Sequence, residues 1–385
     1  RLRIGIIVEN LHAVERPRVT TNQRAIPATY MRGGTSKGVF FHSRDLPPAG
    51  PERDELLLRI MGSPDPLQID GMGGTYSSTS KVVVIDEVRN NEVTYWFGQV
   101  SIDEAYIDWD GNCGNLTAAV GPFAVEEGLI PAHEPVTTFT LHNGNTDTKI
   151  ETSVPVKNGT FQVEGKHVVD GVPGTGAPVT TRYVDPAGTT TGALLPTSRP
   201  VTDVHLSSGQ LLQVSVVDAA SVFAFIRASD INLRLSQSDT STLNADEQLL
   251  ELLEYIRSQL AVTLGRVNDP ALASTESATV PRIMLFEPGT DETLVRARAV
   301  MMGKFHRALP MTGALCLAAA AHTPGTLVAE SLAEPAPAEM TIAHQKGQVA
   351  VEVETQANYA RTAIRRLGVT RTARRIMDGR VYVPA

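Results

Sequence analysis

Cysteine is nearly absent from this chain of 385 residues: there are two, Cys113 and Cys316, far apart and in unlike contexts. That excludes a disulfide framework and any paired-cysteine metal spacing, and it suits a reducing cytoplasm. Long apolar runs are also missing. The run Ile4–Val8 is too short for a signal segment or a membrane span, and nothing later approaches about 18 uninterrupted apolar residues, so a soluble protein without a membrane partner is expected. Positive charge is in deficit, with 34 Lys and Arg against 42 Asp and Glu and a net charge of −8. Bulk electrostatics therefore repel nucleic acid and anionic membrane, and an anionic ligand must be held by a local cation. Residues 1–24 read as an irregular extension. Their arginines fit a transit peptide, whereas Glu9 and Glu15 argue against one.

What is present is a globular composition, 42% hydrophobic and 20% charged, in a length that suits two domains. Short apolar runs between turn signals predict strands over Ile26–Met31, Val39–His42, Lys81–Val88, Glu92–Val100, Val136–Leu141 and Thr148–Val156. Glu52–Met61 reads as a helix entered through Pro51 and closed by Gly62. Asn115–Glu127 reads as a helix that is apolar on most faces and therefore buried. The second half repeats the theme: strands over Leu211–Val217, Val222–Ile226, Ile283–Phe286 and Leu294–Met302, then an Ala/Leu helix over Met311–His322. Two strand-rich layers, each around one buried helix, point to a duplicated architecture. A further helix, Ala245–Leu264, carries a capping-box spacing at Asn244 and Glu247, ends at Gly265 and reads as a peripheral insertion. The Gly/Pro/Thr-rich stretch 170–196 holds the domain connection, placed near Ala177. The basic run from Arg361 to Arg380 alternates with apolar residues and reads as a solvated strand face rather than a nucleic-acid arm.

Three Gly/Ser/Thr-rich segments lie in the first half: Arg32-Gly-Gly-Thr-Ser-Lys-Gly38, Asp70 to Lys81, and Asp110-Gly-Asn-Cys-Gly-Asn115. Such loops present backbone N–H groups and hydroxyls to anions. Neither a P-loop nor a dinucleotide fingerprint is among them. Cys113 directly precedes the first buried helix, where orphan N–H groups and the helix dipole favour thiolate. The ordinary reading of a cysteine is a small buried hydrophobe, but Asn112, Gly114 and Asn115 offer no apolar surroundings. Cys316, among leucines and alanines, reads as structural. Lysine is sparse, yet Lys81 opens an apolar strand after a hydroxyl-rich loop. There it can lose charge by desolvation, hold a carboxylate, or simply reach back to solvent. Ahead of the second buried helix stand Lys304, His306 and Arg307, a second candidate anion site, with His344 a further cleft candidate. No cluster has metal spacing.

The segments Ile26 to Phe41, Gly62-Ser-Pro-Asp-Pro66, Ile69 to Gly74, Ser77-Ser-Thr-Ser-Lys81, Phe97 to Asp103 and Gly111-Asn-Cys-Gly-Asn to Phe123 resemble the PrpF-type isomerases. That family includes 2-methylaconitate cis-trans isomerase, methylitaconate isomerase and 4-oxalomesaconate tautomerase. The likeness continues more thinly through Pro324-Gly-Thr-Leu327 and Ala373 to Gly379. It implies an α+β, diaminopimelate-epimerase-like fold of two pseudo-symmetric domains, each a β-layer wrapped around a central helix, with the site in the cleft between. On that basis the domains are 25–177 and 178–372, with 373–385 returning to the first. The resemblance also implies an acid/base pair of Lys81 and Cys113 and no cofactor. A second catalytic cysteine of the broader fold has no counterpart in Pro310-Met-Thr-Gly, which disfavours a two-thiol racemase. The segment from Phe305 to Ala314 looks more like that of the tautomerase members, and Tyr76 stands where a small residue is expected.

The expectation is a cofactor-independent isomerase that moves a proton along an unsaturated di- or tricarboxylate through a dienolate. Substrate contacts are expected from Arg32, Thr35, Ser36, Lys37, Ser78, Thr79, Asn112, Gly114, Asn115, Lys304, His306, Arg307, Thr312 and Gly313, with charge stabilised where it develops. The alternatives are a keto-enol tautomerase and, in another class, a polycarboxylate-binding or aconitase-accessory protein without turnover. The expected partner is the small polycarboxylate itself. A homodimer and functional pairing with an aconitase-like dehydratase are both open.

Overall fold

The computed structural model describes residues 22–290, 293–358 and 361–384. Most of the extension anticipated over 1–24 lies outside the described residues. The described residues start with β1 (Gln23–Gly33) and β2 (Ser36–His42), an antiparallel hairpin. Helix α1 (Pro51–Met61) crosses over to β3 (Lys81–Arg89), which lies parallel to β2. Its Pro51 start and its end at Gly62, in the left-handed region at φ 75°, match the sequence signals. β3 forms a hairpin with β4 (Glu92–Val100), and helix α2 (Gly114–Glu126) crosses to β5 (Val136–Asn143), parallel to β4. β5 turns back into β6 (Thr148–Lys157).

After β7 (Val179–Val184), which pairs with β6, the same order recurs. The hairpin β8 (Leu211–Asp218) and β9 (Val222–Arg227) is followed by helix α3 (Glu247–Thr263). Next come β10 (Arg282–Thr290), parallel to β9, and its hairpin partner β11 (Thr293–Met301). Helix α4 (Met311–Ala321) then crosses to β12 (Glu339–His344), parallel to β11, which turns into β13 (Gly347–Asn358). Each half is thus three hairpins joined by two helical crossovers. β14 (Arg361–Arg371) pairs with both β13 and β7, and β15 (Ala373–Pro384) runs along β1.

This topology corrects the reading of α3 as an insertion, because α3 occupies the crossover that α1 occupies in the first half. Its cap is also not Asn244, which belongs to the short preceding helix Thr240–Ala245. Asp246 caps α3 by accepting from the Leu249 N–H at 3.0 Å, while Asn244 accepts the Phe305 N–H at 2.7 Å. The two central helices are buried along their lengths, every residue of α4 and all but the last of α2. That is why neither shows a polar stripe in sequence.

The basic run is only in part a solvated face. Arg365 and Arg366 are exposed, paired with Asp185 at 2.8 Å and Glu354 at 3.4 Å. Arg375 holds Glu126 and Glu127 at the C-terminal end of α2, where a cation suits the helix dipole. Arg371 points inward and is buried.

Candidate active site

Lys81 is the first residue of β3 and faces Gln99 on β4. Its ammonium donates to the Gln99 side-chain oxygen, lies 5.0 Å from the centre of the Phe97 ring, and belongs to a residue only 4% exposed. The Gln99 amide is fixed in turn, donating to the carbonyls of Ser77 at 3.1 Å and Ser80 at 2.9 Å. Burial pushes the Lys81 pKa down. Nearby Cys113 pulls the other way, Arg282 adds to the lowering, and Asp108 opposes it.

Cys113 is the N-cap residue of α2, and no side chain caps that helix end. The first-turn N–H groups are therefore left to a ligand or to water. The Cys113 N–H is held by the Asn112 side-chain oxygen at 2.7 Å, and the sulfur lies 4.0 Å from the Ser36 hydroxyl. Asn112 is itself anchored by the buried Tyr95 hydroxyl at 3.1 Å and by Thr117 at 3.2 Å. The β1–β2 turn presses against the start of α2. A side chain on Gly33 would sit 2.2 Å from the Asn115 carbonyl, and one on Gly34 2.2 Å from the Asn115 side-chain oxygen. Asn115 donates to the Thr35 hydroxyl at 3.2 Å, which fixes this contact.

Lys81, Cys113, Ser36, Asn112, Gly114 and Asn115 line one small pocket with Gln99, Ser77 and Phe97 from the first half. From the second half come Arg282, Met301, His306, Pro310, Met311 and Thr312. The start of α4 likewise has no side-chain cap, so two uncapped helix N-termini meet at one pocket. Its volume of about 20 Å³ opens toward a cleft of about 720 Å³ between the halves.

His306 is buried and its pKa is pushed down to about 3, by burial first and Lys81 second. It is therefore neutral at physiological pH rather than the cation that its basic neighbours suggest. Its Nδ1 accepts the Ala308 N–H at 3.1 Å, which leaves the ring proton on Nε2.

The remaining sequence candidates separate from the pocket. Lys304 and Arg307 are exposed along the cleft, where Arg307 stacks 3.6 Å from the centre of the Tyr76 ring. Tyr76, out of pattern in its glycine loop, is thus a seat for a cation. Ser78 lines the cleft, and Thr79 locks its own turn through the carbonyls of Gly74 at 2.7 Å and Tyr76 at 3.1 Å. Arg32 donates to the carbonyls of Gly34 at 3.0 Å and Thr372 at 2.8 Å, and Lys37 sits over the Tyr30 ring. Both are taken up by the strands that carry them. Gly313 faces Phe223 and Met284 in the core, its absent side chain making room for them. Cys316 is fully buried beneath the Val217 carbonyl at 3.3 Å, with its thiol pKa raised by burial.

Of the pocket residues that sequence reasoning did not single out, Arg282 and Gln99 bear most directly on Lys81. Arg282 opens β10 as Lys81 opens β3, each a lone cation ahead of an apolar strand, and that parallel is the only signal for it. It is 4% exposed, donates to the Ser221 hydroxyl and has a buried Nε without a partner. A side chain on Gly111 would lie 2.9 Å from its Nη2. Burial lowers its pKa, opposed by Asp108 and then Cys113. Gln99 falls within the family-like segment Phe97 to Asp103, but a glutamine in a strand is unremarkable until its partner is known.

The PrpF protein family model matches residues 23–384. The 3-methylitaconate isomerase of Eubacterium barkeri is 36% identical, covering 94% of this chain and 98% of its own. The 2-methyl-aconitate isomerase of Cupriavidus necator is also 36% identical, with the same coverage. The (4E)-oxalomesaconate Delta-isomerase of Novosphingobium sp. (strain KA1) is 36% identical over 95% of this chain and all of its own. Among solved structures, a methylitaconate-delta-isomerase superposes with a TM-score of 0.74 over 94% of this chain and 97% of its own, at 36% identity. A hydroxyproline epimerase of Agrobacterium vitis superposes with a TM-score of 0.60 at 13% identity, covering 94% of each chain, a likeness of fold alone. The fold is α+β and diaminopimelate-epimerase-like.

Proposed function

The chain belongs to the PrpF family and is an isomerase, and from that premise we propose that it moves a proton along an unsaturated di- or tricarboxylate by acid–base catalysis between Lys81 and Cys113, without a cofactor. The observation that carries this reading is a buried lysine sharing one pocket with a cysteine at an uncapped helix start. Desolvation favours the free amine of Lys81, which suits it to take a proton from the carbon next to a carboxylate or one double bond further along. The C–H electrons pass into an extended dienolate. The Cys113 thiol returns a proton at the other end of that system, or at the same carbon after rotation about the loosened bond, and solvent exchange resets the pair. Arg282, the Nε2–H of His306 and the free N–H groups at the starts of α2 and α4 surround the space where the dienolate charge grows.

The names of the relatives suggest methylitaconate, 2-methylaconitate and oxalomesaconate as the substrates to try. A keto-enol tautomerase would use the same proton transfer, and the sequence around Phe305 favours it. Incubation with this panel in D₂O, followed by NMR, tests the proposal. Deuterium enters the isomerised carbon with at least one compound if the reading holds. Binding without exchange or isomerisation across the panel would turn it into a non-catalytic polycarboxylate binder. A cytoplasmic homodimer working alongside an aconitase-like dehydratase completes the reading, and light scattering and a coupled assay test it.

A further inference from the structure

We propose that Met311 is a movable wall between the reaction pocket and a second anion subsite, and that a third carboxylate of the ligand displaces its thioether to pair with Arg371. The inference rests on the polycarboxylate reading above and deepens it by naming the group that separates tricarboxylates from dicarboxylates. Arg371 ends β14 with 6% exposure, and its Nε is buried without a partner. Its Nη2 is spent on the Met311 sulfur at 3.5 Å, a weak acceptor for a guanidinium. Burial presses its pKa to about 10, still far above neutrality, so the charge is kept.

Among the described residues, nothing around Arg371 neutralises that charge by contact. Among the described residues no carboxylate reaches ion-pair distance of it, and Asp170, which acts on it electrostatically, accepts the Gln348 N–H at 2.6 Å. His344, at the end of β12 with β13 between it and β14, is neutral, with a pKa lowered to about 4 by burial first and by Arg371 second. It accepts the Lys346 N–H and brings no negative charge. A buried cation that lacks an ionic partner is costly to keep, and an anion is what relieves it.

The pocket side is equally incomplete. A volume of about 20 Å³ holds about one water and cannot hold a six-carbon tricarboxylate. Lys81, Asn112 and Asn115 are pinned by hydrogen bonds. Among the described residues the Met311 side chain is held only by packing and by the guanidinium contact, and it leans on Gly114, where a side chain would come within 2.9 Å of its Cβ. An unbranched thioether with three rotatable bonds is the wall best able to swing. When it does, the pocket joins the Arg371 guanidinium.

Isothermal titration with tricarballylate, a saturated tricarboxylate, and with methylsuccinate, a dicarboxylate, tests this without turnover. The wild type binds tricarballylate more tightly. Arg371→Gln weakens tricarballylate tenfold or more and methylsuccinate less than twofold. Met311→Ile, stiff at its first torsion, imposes the same selective loss while leaving the cation in place. Equal loss for both ligands, or no wild-type preference, overturns the subsite. If Arg371→Gln fails to fold, Met311→Ile decides alone. Absence of proton exchange in D₂O overturns the proposed reaction and leaves this binding result standing.

Discussion

At the scale of single residues, the pocket is a set of groups whose surroundings change what they are. Lys81 is a weakened cation because burial outweighs its neighbours, and His306 is a neutral donor for the same reason. Replacing Lys81 by Met, or Cys113 by Ala, should lower kcat by about 10²–10⁴-fold with the fold intact, as loss of an acid or base partner does. Circular dichroism and proton exchange in D₂O check both. Lys81→Met should also raise the melting temperature near neutral pH, since it removes a buried amine that would rather be solvated. The sign for His306 follows from its folded pKa of about 3 against an ordinary 6.5. Below 6.5 the unfolded chain gains a proton that the folded chain refuses, so stability falls as pH drops from 6.5 toward 3, by up to about 5 kcal/mol. His306→Gln should flatten that part of the stability–pH curve in urea titrations at pH 4–7. In the wild type, the rate profile should show no limb near 6.5 arising from this residue.

At the scale of elements, the local signals were strong where a residue type has one backbone use. Pro51 and Gly62 bracket α1, and β1 to β6 fall where short apolar runs lie between turns. They were misleading where two neighbouring polar residues competed for one task. Asn244 has a cap's spacing, but Asp246 takes the cap because a second short helix runs up to Ala245. Asp246→Ala should therefore cost about 1 kcal/mol, read as a lower denaturation midpoint. Asn244→Ala should instead loosen Phe305 and, through the adjacent His306, raise KM more than it lowers stability. Gly34→Ala tests the contact between the β1–β2 turn and α2. At φ 47° and with Asn115 only 2.2 Å from the new atom, it should disorder the Cys113 end of the helix. Activity should fall by at least tenfold.

At the scale of the whole molecule, the repeated order of hairpins and helical crossovers makes the two halves equivalent, and the candidate pocket lies where their central helices begin. We propose 25–177 and 178–372 as the units of that duplication, with 373–385 restored to the first. Removing 373–385 strips β15 from the full length of β1. The exposed edge should give aggregation or a melting temperature lowered by many degrees in a thermal scan, whereas two self-sufficient units would tolerate the cut. By itself the sequence determined the periodic elements, the buried character of both central helices and the placing of Cys113 with Asn112, Gly114 and Asn115 at the start of the first of them. Each of these is written in a few consecutive residues. Only the tertiary structure decided that Arg282, Gln99 and Met311 belong with Lys81, that Arg32 and Lys37 do not, that α3 mirrors α1, and that Arg371 is buried. Those outcomes depend on which strands lie side by side and on the low dielectric they enclose. Partners set by sheet pairing across more than a hundred residues leave no mark on the local pattern of any one of them.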